Sequence, residues 1–118
     1  MVFGLRSLVL LSAILPLAGL PTDFPRDVPL YPGATVRSAG ASAMELVVLE
    51  TPDPRGKLLT FYTAALPQNG WKLENSYGVS PEDVQGSKGR RLIGITLVEQ
   101  HAGTKSTTLI QIRLTGEM

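Results

Sequence analysis

The sequence predicts a two-layer α+β domain: one amphipathic helix packed on a mainly antiparallel sheet of about five strands, in the order β-β-α-β-β-β. Three observations carry this. One long stretch places Leu58, Phe61, Tyr62, Ala65 and Leu66 at helical spacings of three and four. The segments around it alternate apolar and polar residues with period two. The connections between those segments are short, which favours antiparallel neighbours.

The chain opens with a segment of a different kind. Arg6 is the only charge before Asp23, and an apolar run of fourteen residues extends from Ser7 to Leu20. A spanning helix needs ~20 apolar residues, and Pro16 interrupts this run. A basic start, a brief apolar stretch and the small residues Ala18 and Gly19 describe a secretory signal peptide over residues 1–20, with cleavage after Ala18 or Gly19. The expected location is therefore periplasmic or extracellular. An uncleaved inner-membrane anchor formed by residues 7–20 is the alternative.

Residues 21–33 carry four prolines and end on Gly33. Each proline fixes its own φ and pushes its predecessor out of the helical region, so an extended arm is expected. Its apolar residues Phe24, Val28, Leu30 and Tyr31 suit an arm lying on the domain, and Pro32-Gly33 is a type II turn pair.

Residues 34–118 form the single expected domain. Ala34–Ser38 reads as a short strand, Ala39–Ser42 as a turn, and Met44–Glu50 as a strand with Val47, Val48 and Leu49 at its centre. In Thr51-Pro52-Asp53-Pro54, Asp53 is placed to cap a helix whose first position is Pro54. The helix runs from about Pro54 to Leu66 or Asn69. Pro67 costs it one hydrogen bond, and Gly70 suits the position just past its end. Trp71–Tyr77 is the next strand. A polar, turn-rich segment follows, with a short strand near Asp83–Gly86. Arg91–Glu99 is a strong strand, Gln100–Lys105 a loop, and Ser106–Leu114 the last strand. There Ile110, Ile112 and Leu114 face one way and Gln111 and Arg113 the other, as in a sheet with one covered face.

Composition narrows the function classes. The chain has 118 residues, no cysteine and one histidine. Disulfides, thiolate metal sites, a cysteine nucleophile and a lipidated cysteine are excluded, as are multi-histidine metal sites. Without Arg6 the chain carries ten charges of each sign, unlike a nucleic-acid binder with its basic excess. No cofactor is expected, since no Gly-rich phosphate cradle follows a strand and the acidic residues lack metal-loop spacing.

Three sets of residues are candidates for function. Lys88, Arg90 and Arg91 cluster about Gly89, where they could meet phosphate or an anionic surface; a solvated hairpin tip, partly neutralised by Glu82 and Asp83, is the plainer reading. Trp71 and Tyr77 share a strand face and could stack a ligand, against a structural role for Trp71 under the helix C-terminus. His101 could act as a base towards Ser106 or Thr104, but no Gly-x-Ser-x-Gly elbow is present and an exposed loop histidine is expected.

Val28-Pro29-Leu30-Tyr31-Pro32-Gly33-Ala34, followed by Phe61-Tyr62-x3-Leu66-x3-Gly70-Trp71, resembles a family of small exported bacterial proteins and lipoproteins of uncharacterised function. The resemblance covers nearly the whole chain after the signal segment. It implies an architecture and no chemistry, and it carries over no catalytic residue. Many relatives place a lipidated cysteine after the signal; this chain has none. The expected function is a non-enzymatic cell-envelope module that contacts another envelope protein or an envelope surface. The alternative is a small-ligand or lipid-binding domain with a shallow apolar groove between helix and sheet. A hydrolase using His101 is the third reading.

Overall fold

A computed structural model of the chain describes residues 18–40, 46–74 and 82–116. Within these residues the order is β1 (Thr35–Ser38), β2 (Val47–Thr51), α1 (Arg55–Gln68), β3 (Lys72–Glu74), β4 (Val84–Lys88), β5 (Arg91–Ala102) and β6 (Lys105–Thr115). The strands form one six-stranded sheet in the spatial order β1-β2-β6-β5-β4-β3, and every pairing is antiparallel. The architecture is the expected helix on an antiparallel sheet, with six strands rather than five. The sixth is β4, the short strand expected near Asp83–Gly86, whose Gln-Gly-Ser centre carries little apolar signal of its own.

Directly opposed residues share a sheet face, so the register lays out the core in rows. Val47, Ile112, Ile95 and Val84 form one row across four strands, and Leu49, Ile110 and Leu97 form the next. All of them are buried. Leu58, Tyr62, Ala65 and Leu66 of α1 complete the apolar layer. Gly86 lies in the row of Ile93 and Leu114. A Cβ there would stand 3.2 Å from Ile93 Cγ2, so the bare backbone leaves room for that side chain.

Both helix ends carry a local explanation. At the C-terminus, Trp71 N donates to Leu66 O at 3.0 Å and Gly70 N to Pro67 O at 3.1 Å, with Gly70 at φ +89°. This is the Schellman arrangement, and glycine supplies its left-handed residue. The N-terminus differs from the expectation. Pro54 is the N-cap and offers no capping side chain, and Glu99 Oε2 of β5 accepts from Arg55 N at 3.4 Å. The Asp53 carboxylate turns away to the Tyr31 hydroxyl and to Lys57 Nζ, 3.6 Å distant. A proline in the cap position brings no N–H to the helix, and the arm competes for the acid.

The expected loop at Gln100–Lys105 is strand instead. The pairs Gln100↔Thr107, His101↔Ser106 and Ala102↔Lys105 continue the ladder, leaving only Gly103-Thr104 as the turn. Gly103, at φ +65°, permits that two-residue connection. Polar composition hid the strand because the hairpin tip projects past its neighbours: pairing to β4 ends at Ile95 and pairing to β2 at Thr108. Beyond Ile95 the edge is closed by Asp83, whose N–H donates to Ile95 O and whose carboxylate accepts from Leu97 N at 2.7 Å and pairs with Arg55. Met44 and Tyr77, where two expected strands begin and end, lie outside the described residues.

Candidate functional site

The arm packs on the domain through side chains. Val28, Tyr31 and Ala34 are buried in the core, with Phe24 and Leu30 half-buried against it. Its backbone–backbone hydrogen bonds stay local: Phe24 N to Pro21 O, Val28 N to Pro25 O, and Ala34 N to Tyr31 O, the last closing the turn at Gly33. Tyr31 meets Phe61 edge to face, with centroids 5.1 Å apart, and Phe61 meets Tyr62 in the same way at 4.9 Å.

The cations expected to face an anion face Asp27 of the arm. Lys88 and Arg91 are opposed across the β4–β5 turn and so share a face. Arg91 donates Nη1 to Asp27 Oδ2 at 2.7 Å and Nη2 to Oδ1 at 2.9 Å, and Lys88 Nζ adds a third bond to Oδ2 at 2.9 Å. Lys88 Nζ also donates to Asn69 O. The Arg91 guanidinium lies 4.8 Å from the centre of the Trp71 ring, and Trp71 Nε1 donates to Asp27 O at 2.8 Å. These bonds hold the Asp27 carboxyl far below its usual range; the Arg91 bond contributes most, burial opposes it, and Lys88 adds to it. Arg90 is exposed at the turn. Of the two acids expected to soften this charge, Asp83 pairs with Arg55, and Glu82 accepts from Gln85.

Trp71 is 2% exposed. Its ring is therefore a core element with a cation already on it, while Tyr77 lies outside the described residues. His101 is exposed, with Nδ1 2.8 Å from Ser106 Oγ. Among the described residues no group of three or more acidic or histidine side chains could hold a metal.

Sequence reasoning missed two groups. Asp27 is one, because its partners lie 61 and 64 positions away and nothing near it marks them. Tyr62 is the other. Its place on the apolar helix face reads as packing, and it is 0% exposed. Yet its hydroxyl makes no hydrogen bond of good geometry; burial pushes it well above the usual phenol range, and the Tyr31 backbone beside it opposes that shift. The two buried threonines are satisfied: Thr108 Oγ1 donates to Asp53 O, and Thr51 Oγ1 accepts from Asp53 N.

On the opposite sheet face is a shallow depression of about 230 Å³, lined in part by Glu74, Gln85, Leu92, Gly94 and Arg113. Its mixed lining and small volume suit a solvated surface better than an enclosed ligand.

No curated protein and no solved structure matches the chain. A family model does, over residues 34–106, from the end of the arm through β1, β2, α1, β3, β4 and β5 into β6. That match takes in more than half of the chain, and this chain belongs to the START domain-like family.

Proposed function

We propose that this chain is a non-enzymatic, exported module that binds a small, largely apolar ligand in the layer between α1, the sheet and the arm. The observation that carries this reading is the Tyr62 hydroxyl, fully buried and without a well-formed hydrogen bond to protein. Leaving such a group unpaired costs ~1–3 kcal/mol. A buried unsatisfied group in a native fold calls for a reason, and a ligand that brings an acceptor or donor supplies one. Membership of the START domain-like family favours a ligand-binding role. The exposed His101, bonded only across its own hairpin, offers little to catalysis.

The test is Tyr62→Phe. Without ligand the variant should be more stable than wild type by ~1 kcal/mol, since it sheds an unsatisfied group. Dodecanol, apolar with one hydroxyl, should raise the melting temperature of wild type more than that of the variant. A destabilised variant with an unchanged response would overturn the reading. Export is tested separately: mass spectrometry of the periplasmic or secreted fraction should find an N-terminus near Leu20, and intact Met1 in a cytoplasmic pool would sink it.

A protein- or surface-contact role is the second reading. Leu46, Leu92 and Val98, exposed by 40%, 52% and 37%, favour it.

A further inference from the structure

Three features of the arm belong together. Among the described residues its backbone pairs with no strand, and the domain reaches that backbone through the bond that Trp71 Nε1 donates to Asp27 O, so it can leave without breaking the sheet. It covers the layer that contains Phe61 and Tyr62. Asp27 ties it electrostatically: its carboxylate is seated between Arg91 and Lys88, and its backbone carbonyl accepts from the Trp71 indole. That seat is a built anion site occupied by a group of the chain itself. The guanidinium gives Asp27 only its two terminal nitrogens, and the buried Arg91 Nε has no partner.

Resting on the ligand-binding reading, we propose that the arm is a lid and that its ligand is an anionic single-chain amphiphile. The carboxylate or phosphate head replaces Asp27 between Lys88 and Arg91, and the chain takes the place of Val28, Leu30 and Tyr31 over α1. A bidentate Arg site with an adjacent ammonium suits either head. A phosphate, with its additional oxygens, can also reach Nε. The Tyr62 hydroxyl then meets a hydroxyl or carbonyl further along the ligand. Because the head and Asp27 compete for the same donors, binding and lid opening are one event, and closure reduces the apparent affinity by the fraction of open molecules.

Trp71 is the sole tryptophan of the chain and touches both Asp27 and Arg91, so its emission reports on the seat. The full chain is titrated with dodecanoate, dodecyl phosphate and dodecanol below their aggregation concentrations. Both anions should give a saturable change in emission at concentrations at least about tenfold lower than dodecanol, and the tighter anion identifies the head. Asp27→Asn unlatches the lid and should tighten dodecanol binding by about tenfold. Tyr31→Phe loosens the other end of the arm by removing its bond to Asp53 and should tighten it by a few-fold, which keeps the test open if Asp27→Asn does not fold. Equal affinity for charged and uncharged amphiphiles, or unchanged affinities in both variants, would overturn the lid while leaving the ligand-binding reading in place. If no amphiphile binds to wild type or to either variant, the ligand-binding reading itself fails.

Discussion

Asp27 and Arg91, 64 positions apart, are joined by two parallel hydrogen bonds of 2.7 and 2.9 Å, with the Arg91 guanidinium lying over the Trp71 ring. Side-chain exposures of 24% and 18% place the pair at the edge of the core, where water neither fully screens it nor fully solvates it. Such a pair is worth more than a surface ion pair and avoids the full desolvation cost of a buried one.

Removing either partner should therefore be costly. Asp27→Ala and Arg91→Ala are each expected to destabilise by ~2 kcal/mol, within the range for hydrogen bonds to charged groups. Because they share one contact, the double variant should lose less than the sum, by ~1 kcal/mol. Urea unfolding of the four proteins measures this, and strict additivity would show that the two residues act separately.

Acid should undo the same contact. Asp27 is held below its ordinary 3.8 by Arg91 first and by Lys88 in support. A carboxyl depressed on folding contributes stability that is complete above its unfolded value and lost as pH falls through the folded one. The stability gap between wild type and Asp27→Ala should be constant from pH ~7 to ~5 and shrink steadily below pH ~4. Paired urea titrations across this range give the answer; a gap that widens in acid would contradict the assignment.

The elements with strong local signals were legible from sequence. Leu58, Tyr62, Ala65 and Leu66 are the buried face of α1, as their spacing requires, and Ile110, Ile112 and Leu114 are the buried face of β6. Gly70 ends the helix where its freedom at positive φ is needed. What could not be read depends on partners distant in the chain. The acids near Lys88 in sequence were expected to balance it, while Asp27, 61 residues before it, does so. Asp53 was expected to cap a helix, but Tyr31 and Lys57 draw its carboxylate away. Composition suggested a loop at His101 because exposed strands and loops share the same polar residues; a two-residue turn at Gly103-Thr104 settled the matter in favour of strand.

Trp71 gives a packing prediction. It is among the largest fully buried side chains, it follows the helix end directly, and its indole bonds the arm. Trp71→Ala should cost ~3–5 kcal/mol, the usual range for a large buried aromatic. Denaturant unfolding followed by far-ultraviolet circular dichroism avoids reliance on the lost fluorophore. A cost below ~0.5 kcal/mol, typical of surface sites, would mean that the indole is not buried.

His101→Ala should change little. The ring sits on a projecting, exposed hairpin and bonds Ser106 across its own ladder. Stability should shift by no more than ~0.5 kcal/mol, as for ordinary surface substitutions, and amphiphile affinity should match wild type. A variant of normal stability with lost affinity would make the hairpin tip part of the site.

The place of β6 in the sheet governs how the chain can be assembled. The last strand of the sequence lies between β2 and β5, so Val47 waits for Ile112 and the β1–β2 pair has no other route into the sheet. Until residues 105–115 are available, the protein consists of two half-sheets tethered by α1, each with an open edge. Such non-local closure slows folding because loop entropy must be overcome before the central contacts form. A chain emerging from its N-terminus therefore stays pliable until β6 is free. Truncation before β6 would unmake the whole sheet, and exposed half-sheet edges would make the fragment prone to pair with other chains.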